Sequence, residues 1–396
     1  MTKVDELNRR DFIVKTAGTA GAAGAAVGGA LGTANAQTTP PPGFDAQPPF
    51  SRNWDRQLRE VVNVNLSVAS PELANDVSRE RHRIYAFLLM ALIRRFWNGN
   101  KHGPLGRYPQ REAQKAAGQD PQAAFFRYRG DMIETGDPLR VAWDRYLGHN
   151  IACLAVDGKG EIIDFEFNHN DFFRSSAEHA ESRMVRRLFS LTDIFDNWKT
   201  GTPLPGKSRA FSLKDVTLYT SLESCAQCAG VMSLGGIKQV VYLQNDFTAY
   251  MIGNIMFNLA DPGTAPIPIP ASAIGLRQFD DLNAAHLAFI KNIVDAKQKG
   301  DPSRAFFVPP PPATANGASP DPPDFSSSIT SFLCTDAAFS IFDDGAKQFA
   351  AMRLDFGGAK FPDQPDAWNN DDCLKHAKRF FDYADVEGYR GSPHKL

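Results

Sequence analysis

Apolar positions fall into short runs and two distinct periods along this chain. Ile84 to Ile93 is a run of ten apolar residues between arginines, too short to span a bilayer, and it predicts a buried helix within Asp76 to Trp97. Pro138 to Leu147 suits a helix ending at Gly148. Ile151 to Val156 suits a buried strand, Asp157-Gly158-Lys159-Gly160 a hairpin turn, and Glu161 to Phe167 the partner strand. A helix over Ala177 to Leu191, a strand over Val216 to Leu222, a helix over Cys225 to Leu234 and a strand over Gln239 to Leu243 follow. Strands alternating with helices predict an α/β sheet with parallel strands. A helix over Leu276 to Lys299 comes next; prolines 309–312, 320, 322 and 323 then separate a largely helical tail from Phe325 onward. No internal repeat is visible.

Composition narrows the class. Of 396 residues 43% are hydrophobic and 22% charged, with a net charge of −2, which excludes a collagen, a disordered acidic chain and a strongly basic nucleic-acid binder. Five cysteines, at 153, 225, 228, 334 and 373, argue against a disulfide framework, although Cys334 and Cys373 are candidates to pair. At the N-terminus Arg9-Arg10, an apolar triplet and a weakly apolar Ala/Gly stretch resemble a twin-arginine export leader, with the small-x-small site Ala34-Asn35-Ala36 implying cleavage after Ala36. Six glycines between positions 18 and 32 make the stretch a poor helix of the fold. The expectation is a periplasmic or secreted protein carried folded by the twin-arginine translocase. Its mature part has 39 basic against 42 acidic residues, a balance that does not favour nucleic acid as partner.

Candidate chemistry concentrates at two helix starts. His179-Ala180-Glu181 opens one and Cys225-Ala226-Gln227-Cys228 the next. One imidazole and two thiolates supply three zinc ligands and leave a tetrahedral position open, the pattern of a catalytic rather than a structural site. Cys225 and Cys228, three apart, share a helical face, and a helix N-terminus favours their thiolate form. Glu181, two residues past His179, is placed to handle protons beside the metal without ligating it. A thioredoxin-like dithiol is the competing reading of C-x-x-C, and it gives His179 and Glu181 no role. His149 and His169 are nearby metal candidates that read more readily as surface or loop histidines, and Cys153 reads as a small core residue.

The run from Leu218 to Met232, the segment Ile237 to Tyr242, the hairpin at 156–163 and His179-Ala180-Glu181 together resemble the zinc-dependent cytidine and nucleoside deaminase superfamily, nearest its tRNA adenosine deaminase and guanine deaminase branch. Ser224 stands where that branch has proline, and Asp193 to Lys214 reads as an insertion. The resemblance implies a three-layer α/β/α core with a mixed, mostly parallel sheet. It also implies Zn2+ on His179, Cys225 and Cys228, Glu181 as general acid and base, and substrate contacts from Asn168 (Asn170 in another register, or a plain turn asparagine) and the Ala180 N–H. The expected organisation is a leader (1–36), a Pro-rich linker (37–50), a helical N-terminal extension (51–135), a catalytic domain (136–300), a Pro-rich loop (301–324) and a helical C-terminal extension (325–396). The expected activity is hydrolytic deamination of a nucleobase, nucleoside or related aminated heterocycle. A nucleic-acid-directed deaminase and a non-catalytic binding protein on the same fold are the alternatives, the last requiring a filled pocket. Family resemblance also suggests a homodimer.

Overall fold

The computed structural model describes residues 57, 61–97, 149–170, 175–190, 213–249, 251–306, 322–360 and 366–391. The expected leader, the Pro-rich linker, the helix over 138–147 and most of the insertion lie outside the described residues. Five strands form one sheet in the order β2-β1-β3-β4-β5: β1 (Ala152–Val156), β2 (Ile162–Phe167), β3 (Thr217–Thr220), β4 (Gln239–Tyr242) and β5 (Ile267–Pro270). β1 runs antiparallel to both β2 and β3, whereas β3, β4 and β5 are mutually parallel. The sheet is therefore mixed, with only β1 reversed.

The β1–β2 turn follows from its residues. Asp157 Oδ1 accepts the N–H groups of Lys159 (3.0 Å) and Glu161 (2.8 Å), and Gly160 takes φ +99°, which a side chain would strain. A Cβ on Gly160 would also stand 2.7 Å from Cys373 Sγ. Alternation along β2 sorts its side chains by face. Phe165 and Phe167 meet Phe96, while Asp164 and Glu166 meet Arg187, and Glu166 also takes Arg183 at 3.1 Å.

Helices cover both faces. On the acidic side of β2 lies α2 (Ala180–Ser190), joined there by α3 (Ala226–Gly235). The other face is covered by α1 (Asp76–Arg95), whose residues Ile84 to Ile93 are all buried. N-capping by Asn75, whose side chain accepts from Val77 N at 2.8 Å, starts this helix. Further along come α4 (Ile252–Leu259), α5 (Arg277–Lys299), α6 (Asp336–Ala351) and α7 (Asn370–Gly391). Both α6 and α7 pack on α1; α7 also reaches the sheet, where Phe380 meets Phe165 and His376 Nε2 accepts from Ile162 N at 3.1 Å. Glu80 of α1 is buried and accepts from Asp355 N (2.7 Å) and Asn370 Nδ2 (2.9 Å). No described helix is long and apolar enough to cross a membrane.

Two elements differ from the sequence expectation. α4 and β5 follow β4 where no element was foreseen, because β5 reads Ile-Pro-Ile-Pro and proline ordinarily argues against a strand. Here the prolines alternate with the ladder. Ile267 N donates to Lys238 O at 3.1 Å, so Pro268 and Pro270 face away from β4. Cys334 and Cys373 do not pair: none of the five cysteines is in a disulfide, and these two are buried in separate places, Cys334 beside Asn150 and Cys373 beside Tyr85.

Candidate active site

The parallel strands deliver the site at their C-terminal ends. β3 stops at Thr220, and Cys225 then becomes the N-cap of α3 in extended conformation (φ −69°, ψ 172°), putting Cys228 one turn in. Gly236 in left-handed conformation closes α3 by donating to Met232 O and Ser233 O. His179 immediately precedes α2, and its carbonyl accepts from Arg183 N at 3.0 Å. Both cysteines and the histidine thus stand at helix starts, as their spacing predicts. The helices are held in place by α2 packing on α3 and by the Arg183–Glu166 and Arg187–Glu166 pairs that fasten α2 to β2.

Three donor atoms converge. His179 Nδ1 lies 3.4 Å from Cys225 Sγ and 3.5 Å from Cys228 Sγ, and the two sulfurs are 3.6 Å apart. That separation is far beyond a disulfide bond of about 2.0 Å, which removes the oxidised dithiol. A tetrahedral zinc with ordinary Zn–S and Zn–N bonds requires edges of about 3.8 Å between sulfurs and about 3.6 Å from sulfur to nitrogen. The donors match that spacing in number, chemistry and position, so the set fits a zinc ion. It is the only such group of histidine, cysteine and acidic ligands among the described residues. His169 lies elsewhere, its ring 4.0 Å from Glu166 and its backbone N–H donating to Glu178 O.

Glu181 borders the donors from beneath. It is 3% exposed, with Oε2 at 3.5 Å from Cys228 Sγ, while Thr220 Oγ1 (3.2 Å) and Ser224 Oγ (3.5 Å) donate to Oε1. Burial raises its pKa, favouring the protonated form more than an exposed glutamate would. His179 is raised by its hydrogen bond to Cys225. The hydrogen bond between the two thiols holds Cys225 down, to about 4, while the same bond and burial push Cys228 up. Cys153 is wholly buried, its thiol raised by burial with Glu181 and Glu166 close by.

Asn168 follows β2 and is buried; its Oδ1 accepts the Ala180 N–H at 2.7 Å. The structure thus joins the two expected substrate contacts to each other, and Ala180 N–H would have to change partner to meet a substrate carbonyl. Asn170 sits at the next turn and donates to Ser175 O at 3.3 Å. Sequence reasoning missed the hydroxyls of Thr220 and Ser224 on Glu181, and treated Ser224 only as a lost proline. It also passed over Ser182 and Gln227, polar side chains lying inside the two motifs themselves.

The family described as the cytidine and deoxycytidylate deaminase zinc-binding region matches residues 139–244, which contain every residue of this cluster. No curated protein matches the chain. Among solved structures, one from a study of A-to-I editing by tRNA:A34 deaminases at the wobble position of transfer RNA is 21% identical, covering 31% of this chain and 82% of that one, with a TM-score of 0.24. Another, the guanine deaminase from Nitrosomonas europaea, is 21% identical, covering 32% of this chain and 69% of that one, with a TM-score of 0.22.

Proposed function

We propose that the chain is a zinc-dependent hydrolytic deaminase of a nucleobase, nucleoside or related aminated heterocycle, acting outside the cytoplasm after export. The convergence of His179 Nδ1, Cys225 Sγ and Cys228 Sγ at zinc-ligand spacing, with the Glu181 carboxyl against Cys228, is the observation that carries the reading. Zinc held by those three residues supplies the Lewis acidity that lets water ionise near neutral pH. Glu181 would take the proton that water releases and pass it to a ring nitrogen, making the amino-bearing carbon electrophilic to the hydroxide; it would then take the second proton from the adduct's hydroxyl and give it to the amine, which leaves as ammonia as the C–N bond breaks and the carbonyl forms. Thr220 and Ser224 hold its Oε1, leaving Oε2 as the oxygen on the metal side. A raised pKa suits a carboxyl that must both accept and return a proton.

Asn168 fixes the turn ahead of α2 by accepting the Ala180 N–H, and its amide is the substrate contact the resemblance implies. The binding-protein alternative requires a filled pocket beside Glu181 and predicts no ammonia release. The test is ammonia release from a panel of aminopurines, aminopyrimidines and their nucleosides, with zinc-loaded and chelated protein. Release that disappears on chelation and returns with zinc is the expected result. No release anywhere in the panel, or release indifferent to chelation, overturns it.

A further inference from the structure

We infer that Gln227 and Ser182 form a hydrogen-bonded strut that aims the Cys228 sulfur and sets how tightly the site holds its metal, an inference that rests on reading His179, Cys225 and Cys228 as ligands. Gln227 stands between the two cysteines on the first turn of α3, and its side chain crosses to the other motif. Its Nε2 donates to Ala177 O at 2.8 Å and to Ser182 Oγ at 3.2 Å. Ser182 Oγ in turn lies 3.5 Å from Cys228 Sγ. A metal-bound thiolate has only lone pairs to offer, so the hydroxyl donates to it. With one Ser182 lone pair taken by the Gln227 amide, the chain runs in one direction: amide to hydroxyl to sulfur.

The consequence is specific to Cys228. Its sulfur is fully buried, whereas Gln227 is exposed, so the strut connects a surface side chain to an interior ligand across two helix starts. Hydrogen bonds to a coordinating group fix its orientation and tune its donor strength, and losing one lowers metal affinity by about 10–100-fold. Ser182 and Gln227 are positioning residues, since neither belongs to the ligand set or reaches Glu181.

The test uses the full chain carrying Ser182→Ala, Gln227→Leu, both together, and Ser182→Thr. Zinc affinity is read by chelator competition, and the sulfur's donor strength by the thiolate-to-cobalt charge-transfer band of cobalt-loaded protein. Ser182→Ala and Gln227→Leu should each weaken zinc binding by at least about tenfold and move the cobalt band to lower energy. Their losses should be less than additive, and Ser182→Thr should hold both properties near the parent values. Unchanged affinity and band position in Ser182→Ala overturn the strut while leaving the metal site standing. A parent protein that takes up no zinc, or keeps it when Cys225 and Cys228 are both replaced by serine, overturns the deaminase reading along with it.

Discussion

Glu181 shows how a single side chain is set by its surroundings. Its burial and its two hydroxyl donors keep one oxygen occupied and the other against Cys228. Glu181→Gln should preserve shape and zinc content but lower ammonia release by about 10²–10⁴-fold, the usual worth of a general acid and base; metal analysis alongside the rate separates lost proton transfer from lost zinc. His82 is the opposite case, a residue outside the ligand cluster that burial has stripped of its charge. Its Nδ1 is bonded to Tyr219 Oη at 2.8 Å, and burial, helped by Lys238 and Arg81, holds its pKa down to about 3. An unfolded chain binds that proton near pH 6.5, so this histidine's contribution is intact above 6.5 and drains away as pH falls toward 3, by up to about 1.4 kcal/mol per pH unit. Urea unfolding across that range should show a shallower loss for His82→Gln than for the parent. The ligands and Glu181 were legible because motif spacing fixes them to helix starts. Thr220, Ser182 and Gln227 were not, because what their side chains reach depends on how α2 docks on α3.

At the scale of elements, α6 fits closely against α1. A Cβ on Gly345 would stand 2.4 Å from Met90 Sδ and 2.9 Å from Met90 Cβ, so α6 approaches α1 as closely as glycine permits. Gly345→Ala should destabilise the fold by about 1–3 kcal/mol through overpacking, and in a Met90→Ala background the same change should add little; denaturant midpoints of the four proteins measure both. The hairpin, α2, β3, α3 and β4 could be read from the chain because local signals and tertiary role agree there. β5 could not. Its two prolines contradict strand propensity locally, and only the register against β4 makes them harmless. α1 was readable as a helix, yet its polar first turns hid how it is used: Glu80 and Arg81 are buried because Asp355 N and the Asn370 side chain, from the distant C-terminal segment, satisfy them.

For the molecule as a whole, the helices at the two ends of the described chain complete one another. α6 and α7 cover α1, so a chain ending at residue 324 would expose an apolar helix to water; it should lose cooperative unfolding and partition into the insoluble fraction on expression. Export is tested separately. Replacing Arg9 and Arg10 together by lysine should retain the protein in the cytoplasm with its leader attached, whereas the parent should appear outside it beginning at Gln37, as read by fractionation and N-terminal sequencing. The alternating prolines of β5 bear on how copies of this protein can meet. Along its outer rim the strand has carbonyls but no amide hydrogens at Pro268 and Pro270, so a neighbouring chain finds nothing there to donate to it. Self-association by adding strands is closed at that border of the sheet.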